Sequence, residues 1–591
     1  MQFRLFKLRL RRRLRHGQNQ VADIGVYAEA GLERHFFKRL GSIRKIWRFI
    51  TAWLLLLIIL IGGMIVQIAR LSHYYQTLQP IPGGIYSEGI FGNFTNANPI
   101  YATSEVDTTV SRLVFAGLLT YDNKNTLTGD LAKSWDVDAS GTTYTVHLRP
   151  NLTWQDGKAL TADDVVFTFK AIQNPDAQSP LASSWQGVTI TKKDAYTVVF
   201  QLSNPLAAFP YSLTTGILPA HAFQNLPPTS WRSLEFNSLH PIGAGPFRWD
   251  ALQVKGAKGD DRQVLIALKP FDGYALGTPK LSSFVVHSFT NEKTLTDTFD
   301  AKQLTAMVPP VSYDAPTSGT HQYDLVLTAA NMAFFNTSTG ILSDAQVRRA
   351  LVQGTDAAHI QGALGYPTRP VREPLLKGQV GYDPSLQQLS FDPQAARAAL
   401  DKAGWLVGKQ GLRYKDGKPL SISLVANSTP ENAKVVAGLK AAWQSLGVKV
   451  IIPDEASPQD FQNALANHTY DVVLYGISIG VDPDVYVYWD STQADPRSTR
   501  LNLSLYKSTT ADAALEAGRT RLDPVLRAIK YRPFLQTWQQ DAPAVGLYQP
   551  RFQYLTHQTV YGLDAKVVNT GTDRLNNVQN WMVLTSEVTN K

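Results

Sequence analysis

From Phe49 to Ala69 the chain reads FITAWLLLLIILIGGMIVQIA, 21 residues in which only Thr51 and Gln67 are clearly polar. At ~1.5 Å of rise per residue, a helix of that length covers a ~30 Å hydrocarbon core. The run therefore separates a short leader from a long remainder on opposite sides of a membrane. A secretory signal has a shorter apolar stretch, a short basic segment and small residues at a cleavage site; here a 48-residue leader precedes a long span, which predicts an uncleaved anchor. Arg44, Lys45 and Arg48 crowd one flank and only Arg70 follows. Positive charge favours the cytoplasmic side, which puts residues 1–48 inside and the rest outside the membrane. Trp47, Trp53, Tyr74 and Tyr75 stand where interfacial aromatic belts form. A buried core helix, the other reading of such a run, needs apolar surroundings that residues 1–48 do not supply.

The whole chain has 591 residues, too many for one core, so two or three lobes are expected. Its 44% apolar and 18% charged composition is that of a globular protein. There is no cysteine, which excludes disulfides, thiolate metal sites, a cysteine nucleophile and a lipid-attachable cysteine. The net charge of +9 is not a nucleic-acid footprint. Residues 1–48 hold 13 Lys and Arg against three acids, leaving 44 bases and 45 acids in all that follows. The excess is a terminal tail, not a folded basic surface, and nucleic acid is not an expected partner.

Beyond the span, residues 70–81 read as a linker, on the strength of the stretch LSHYYQTLQPIPG (71–83) with its two prolines and glycine. Thr143 to Leu148, TYTVHL, alternates with period two between turn signals at Asp138–Gly141 and Asp156-Gly157, which predicts a strand. Thr161 then caps a helix with Asp163 and Asp164 in its first turn and Val165, Val166, Phe169 and Ile172 as its buried stripe. A second region reads as α/β. Strands are predicted at 421–425, 448–452 and 471–475, with one helix opened by Thr429-Pro430 and running to Gly447, and another opened by Ser457-Pro458. Helices between strands predict crossovers and a largely parallel sheet, with ligands at the carboxyl ends of its strands.

One such end carries Gly476-Ile477-Ser478-Ile479-Gly480, a match to the G-x-S-x-G nucleophile elbow. An elbow needs a helix directly after the serine, and Val481-Asp482-Pro483-Asp484 follows instead, where the proline disfavours that helix. His557 is the one histidine downstream, so a serine triad in the order Ser, Asp, His is formally open. The 11 histidines show no metal-ligand spacing, and there is no phosphate-binding loop, so no metal and no cofactor is expected. Paired acids such as Asp163-Asp164 and Asp482/Asp484 sit at a helix start or beside proline, where caps and turns account for them.

Several blocks, taken in order, resemble the solute-binding proteins of peptide and nickel ABC importers. These are NPIYATSEVDTTVSRLVFAGLLTYD (98–122), LAKSWDVDASGTTYTVHLRPNLTWQDGKALTADDVVFTFKAI (131–172), HPIGAGPFRW (240–249), MAFFNTSTGILSDAQVRRALVQGTDAAHI (332–360), YDPSLQQLSFDPQAARAALDKAGW (382–405) and YKDGKPLSISLV (414–425). The resemblance covers roughly 82–590. It implies an α/β, two-lobed periplasmic-binding-protein-like fold with an additional inserted subdomain, preceded here by one N-terminal transmembrane helix. Its boundaries would be 82–117, 240–325 and 543–591 for lobe 1, 118–239 for the insert and 326–542 for lobe 2.

On that resemblance the GISIG segment becomes the ligand-facing loop of lobe 2, with Gly476, Ile477 and Ser478 against the ligand and Tyr475, Asp482, Tyr488 and Trp489 lining the cleft. Tyr101 and Trp185 would face them from the other side. Several peptide-binding relatives read Gly-Trp-x-x-Asp here, with the aspartate holding the ligand's terminal amine; this chain has Ile477 and Gly480 at those positions. The implied function is capture of a solute, foremost an oligopeptide, between closing lobes and delivery to an ABC permease, without catalysis. A sensory receptor and a membrane-anchored hydrolase using Ser478 are the other readings.

Overall fold

The computed structural model describes residues 40–256, 262–310, 313, 319–338, 340–453, 457–495 and 500–589. Most of the basic leader expected at 1–48 lies outside them. The chain divides into two compact units, Met1–Gln79 with Thr585–Lys591, and Pro80–Leu584.

In the first unit a 36-residue helix, Leu40–Tyr75, carries the apolar run, and Trp47–Ile68 is long and apolar enough to cross a membrane, with none of it buried in protein. The segment expected as a linker at 70–81 is ordered differently. The helix continues through Tyr75, and strand Gln76–Ile81 follows and pairs with Leu584–Thr589. Proline and glycine begin only at Pro80, too late to stop a helix at 70.

The second unit is built on three larger sheets. The four strands Ala132–Val137, Thr143–Leu148, Thr197–Gln201 and Thr189–Asp194 form the insert's antiparallel sheet. In Thr143–Leu148 every second side chain is buried, as the alternation predicts. Helix Ala162–Gln173 starts from a capping box of Thr161 and Asp164 and buries Val165, Phe169 and Ile172 against this sheet's core.

Lobe 1 is an eight-stranded mixed sheet in the order Val567–Val568, His321–Leu327, Arg551–Thr556, Ala306–Met307, Ile85–Phe91, Ser283–Phe289, Gln263–Pro270, Phe247–Lys255. Lobe 2 is a six-stranded sheet in the order Arg369–Pro370, Ala544–Gln549, Ala329–Phe335, Val472–Ser478, Ser421–Ala426, Lys449–Ile451. Its last three strands run parallel, joined by helices Pro430–Gln444 and Pro458–Asn467. The other half is antiparallel, because Ala329–Phe335 and Ala544–Gln549 enter and leave through lobe 1 instead of through crossover helices. Ala544–Gln549, expected in lobe 1 from a boundary at 543, thus belongs to the lobe 2 sheet. All six of its residues are buried, and a run covered on both faces carries no mark of which sheet it completes. The break comes at Pro550, which has no N–H to continue the ladder.

Candidate functional site

Two chain crossings join the lobes side by side, one at Thr328 between strands His321–Leu327 and Ala329–Phe335, the other at Pro550 between Ala544–Gln549 and Arg551–Thr556. They are tied together by Leu327 N–H donating to Pro550 O at 2.9 Å and by Gln549 Nε2 donating to Leu327 O at 3.0 Å. Thr328 is also a junction. Its carbonyl accepts from Ile479 N at 3.0 Å and Gly480 N at 2.9 Å, and its hydroxyl donates to Asn569 Oδ1 at 2.7 Å. Asn569 in turn pairs side chain to side chain with Asn125 of the insert. The loop singled out by its sequence pattern is therefore bonded directly to the hinge.

That loop ends the strand Val472–Ser478, whose neighbours differ in length. On one side Ala329–Phe335 pairs with it to Ser478; on the other, Ser421–Ala426 stops opposite Leu474. Residues 475–478 are left with one open main-chain edge at the carboxyl end of the sheet. Gly476 and Ser478 are exposed there, Tyr475 is half-buried with its ring stacked on Phe461, and Ile477 is buried. A Cβ at Gly476 would come within 2.6 Å of Asn331 Oδ1, so the glycine keeps the edge flush. Tyr488 O–H donates to Ser478 O at 2.5 Å and fixes the carbonyl, while burial and nearby Tyr475 push the Tyr488 phenol up to about 12. Gln379 Nε2 donates to Gly480 O at 2.8 Å, and Gly480 itself lies at φ +83°, where glycine is favoured.

The elements of a hydrolase are not assembled around Ser478. No helix opens directly after it; a single turn, Tyr486–Trp489, comes only later. His557 lies in lobe 1, stacked on Phe299 with ring centroids 4.0 Å apart, and its Nε2–H donates to Phe299 O at 2.6 Å. Asp482 is held by Arg527, not by a histidine, with two contacts of 2.7 Å. Among the described residues no group of three His, Asp or Glu side chains could hold a metal ion.

Asp484 pairs with Arg519 at 2.9 Å, and burial pushes its carboxyl up against the opposing pull of Arg519. The Arg519 guanidinium lies over the Tyr486 ring at 4.3 Å. These two ion pairs of lobe 2 face the insert. Ala207 N–H donates across to Arg519 O at 2.9 Å, and Tyr144, whose phenol is pushed up to about 12 by burial and then by Asp482, stands opposite.

On the lobe 1 side a cavity of about 460 Å³ opens beside Asn569, with Arg112, Tyr121, Thr214 and Asp573 in its walls. Tyr121 stacks with Tyr211 at 6.3 Å and has its phenol raised by burial and then by Asp573. Of the aromatics expected across the cleft, Tyr101 is buried with its hydroxyl on Ala177 O at 2.8 Å, and Trp185 packs on Phe169 at 4.1 Å inside the insert's core. Trp489 is fully buried against Phe334, Phe534 and Trp538. The structure thus brings Tyr475, Gly476, Ile477, Ser478 and Asp482 together beside the hinge and puts Trp489 behind them. Tyr101 and Trp185, expected to face them across the cleft, are instead taken up by the apolar core of lobe 1 and the insert, where large aromatic rings gain most from burial. Thr328, Arg112, Asp573 and Arg527 were not singled out by sequence. Thr328, Arg112 and Arg527 have partners far along the chain, as with Arg112 and Asn576 at a separation of 464 residues, and no local pattern marks such a pair. Asp573 bonds its chain neighbours Asn569 and Thr570, and its cap reads like any other.

Comparison with known proteins bears on this arrangement. The family model of bacterial extracellular solute-binding proteins, family 5, matches residues 126–518. The oligopeptide-binding protein AppA of Bacillus subtilis is 26% identical over 490 residues, covering 80% of this chain and 87% of that protein. Among solved structures, NikZ from Campylobacter jejuni in complex with Ni(L-His) aligns with a TM-score of 0.69 at 23% identity, covering 84% of this chain and 99% of that one. AppA from Bacillus subtilis in complex with a nonapeptide aligns with a TM-score of 0.65 at 22% identity, covering 86% and 100%. At these identities the structural likeness establishes the fold: two lobes of mixed α/β architecture.

Proposed function

The chain belongs to family 5 of the bacterial extracellular solute-binding proteins, and on that premise we propose that it captures an oligopeptide between its lobes while held at the membrane by the Trp47–Ile68 helix. Members of this family are non-enzymatic receptors of ABC transport, and the solute-binding domain is extracytoplasmic. What favours a peptide is the half-open strand at 475–478. An extended peptide added to such an edge gains main-chain hydrogen bonds irrespective of its sequence. The relative AppA carries the name of an oligopeptide-binding protein, which points the same way.

In this reading the ligand's main chain runs along Tyr475, Gly476 and Ser478. Ile477 and Trp489 support that strand from behind, and Asp482 holds Arg527 beside it. Tyr101 and Trp185 stiffen the wall across the cleft, and Thr328 couples closure to occupancy, because its carbonyl holds the loop the ligand touches. Ligand bridging both lobes favours the closed state, the form presented to a permease. The membrane helix keeps the receptor at high effective concentration near that partner.

The test is to extract the full chain without denaturation, identify co-purifying small molecules by mass spectrometry, and measure thermal shifts with short peptides. Bound peptides, or stabilisation by them, is the expected result. An empty protein indifferent to every peptide overturns the peptide reading.

A further inference from the structure

Among the described residues, the loop that follows strand Val472–Ser478 offers no free charge to a ligand's ends. Gly480 carries no carboxylate, and Asp482 and Asp484 are each held by an arginine, Arg527 and Arg519. Charged groups beside Asn569, in lobe 1, are placed differently. Arg112, near the end of helix Glu105–Val114, is the one base lining the 460 Å³ cavity. Its Nη2 is fixed by Thr120 Oγ1 and, at 2.6 Å, by Asn576 Oδ1, both neutral acceptors. Among the described residues neither its Nε nor its Nη1 has a hydrogen-bond partner and no carboxylate forms an ion pair with it, although its charge reaches the buried Asp130, whose carboxyl burial pushes up. Of the two acids in the same wall, Glu105 is taken by Arg574 at 3.0 Å. Asp573 uses only Oδ2, which accepts from Asn569 N and Thr570 N, both at 3.0 Å, and leaves Oδ1 without a partner among the described residues.

A half-buried guanidinium and a half-buried carboxylate in one cavity, each with a free side and not bonded to each other, have a defined complement. A simple anion on Arg112 meets the field of Asp573, and a simple cation on Asp573 meets that of Arg112. A ligand carrying both charges satisfies both groups. We propose that this cavity seats the charged ends of a zwitterion, carboxylate on Arg112 and ammonium on Asp573, so that a free amino acid or a short peptide with unblocked termini is the preferred ligand class. The inference rests on reading the cleft as the capture site and moves recognition of the ligand's charge from lobe 2 to lobe 1. A volume of 460 Å³ lies in the range of small-ligand pockets and admits only a few residues of a peptide.

The experiment measures binding to the full chain in detergent by calorimetry, using trialanine, N-acetyl-trialanine, trialanine amide and 6-aminohexanoate, a zwitterion without a peptide bond. Blocking either end of trialanine is expected to weaken binding about 10- to 100-fold, the worth of one charged hydrogen-bonded contact. Arg112→Gln keeps a donor for Thr120 and Asn576 and should erase the difference between trialanine and its amide. Asp573→Asn keeps an acceptor for the two backbone N–H groups and should erase the difference between trialanine and its N-acetyl form. Equal affinity for free and blocked trialanine in the natural chain, or unchanged preferences in both variants, overturns the inference and leaves peptide capture standing. Binding of 6-aminohexanoate that depends on Arg112 and Asp573, with no binding of any trialanine, upholds the inference and ends the peptide reading. If none of the four binds, both fall.

Discussion

Arg527 grips Asp482 at two points, Nη1 on Oδ2 and Nη2 on Oδ1, each at 2.7 Å, with both side chains less than a tenth exposed. The geometry accounts for a carboxylate that sits in the loop after strand Val472–Ser478 with both its oxygens already engaged. Two opposite charges withdrawn from water are costly apart and tolerable together.

Arg527→Met should therefore destabilise the protein by about 3–5 kcal/mol, since it strands a buried carboxylate. Arg527→Met combined with Asp482→Leu should recover most of that loss. Denaturant unfolding followed by tryptophan fluorescence compares the two, and a single variant no worse than the double would mean that water reaches Asp482.

Stability should fall as pH rises from about 4 to about 8. Burial raises the Asp130 carboxyl from 3.8 to about 7, its Oδ1 having no partner, and raises Glu373 from 4.5 to about 8. Through that window the native state holds protons on these two carboxyls that the unfolded chain has released, which removes stability as pH rises. Buried His287, lowered from 6.5 to about 4, works the other way up to pH 6.5 but is one group against two, so the net slope stays negative until both carboxyls ionise. For Asp130 the full loss is on the order of 4 kcal/mol. Asp130→Asn should thus stabilise the protein at pH 8 and make little difference at pH 4; a gain equal at both pH values would contradict the assignment.

The segment HPIGAGPFRW owes its glycines to one close approach. A Cβ on Gly243 would lie 1.9 Å from Val114 O, the carbonyl at the end of helix Glu105–Val114, and one on Gly245 would meet the same peptide at 2.6 Å. Backbone cannot step aside as a side chain can. Gly243→Ala is expected to cost about 3 kcal/mol or more, read as a lowered unfolding midpoint, whereas Gly157→Ala, with open space at its Cβ, should suffer only its positive φ.

Tyr488→Phe deletes the hydroxyl that holds Ser478 O at 2.5 Å. The freed carbonyl lies on the open strand edge, so ligand affinity should drop about fivefold, the worth of ~1 kcal/mol. Ser478→Ala alters only an exposed hydroxyl and should leave affinity within about twofold. A large loss from Ser478→Ala with none from Tyr488→Phe would show that the side chain, not the main chain, meets the ligand.

Much of the fold is legible locally. The alternation in TYTVHL became a strand with every second residue buried, Thr161 and Ser457 became capping boxes, and GISIG fell at the carboxyl end of a strand. Each is decided within a few residues by periodicity, caps and turns. Legible in the same way was the apolar span, whose length alone sets what it can do, although the helix carrying it runs on past Arg70 to Tyr75.

The charged architecture was not legible. Asp482 beside Pro483 reads as a turn residue, and only tertiary folding brings Arg527 to it from 45 residues away. Arg574, Glu88 and Tyr554 join across as many as 486 residues in a fully buried cluster. The sheet that claims Ala544–Gln549 and the free side of Arg112 likewise depend on what arrives from elsewhere in the chain. Sequence by itself determined the elements, their caps and the apolar span, because those follow from neighbours a few residues apart. Tertiary structure alone decided which charges are neutralised and which remain open to a ligand, because the Coulomb energy of a pair depends on distance and burial in space and not on separation along the chain.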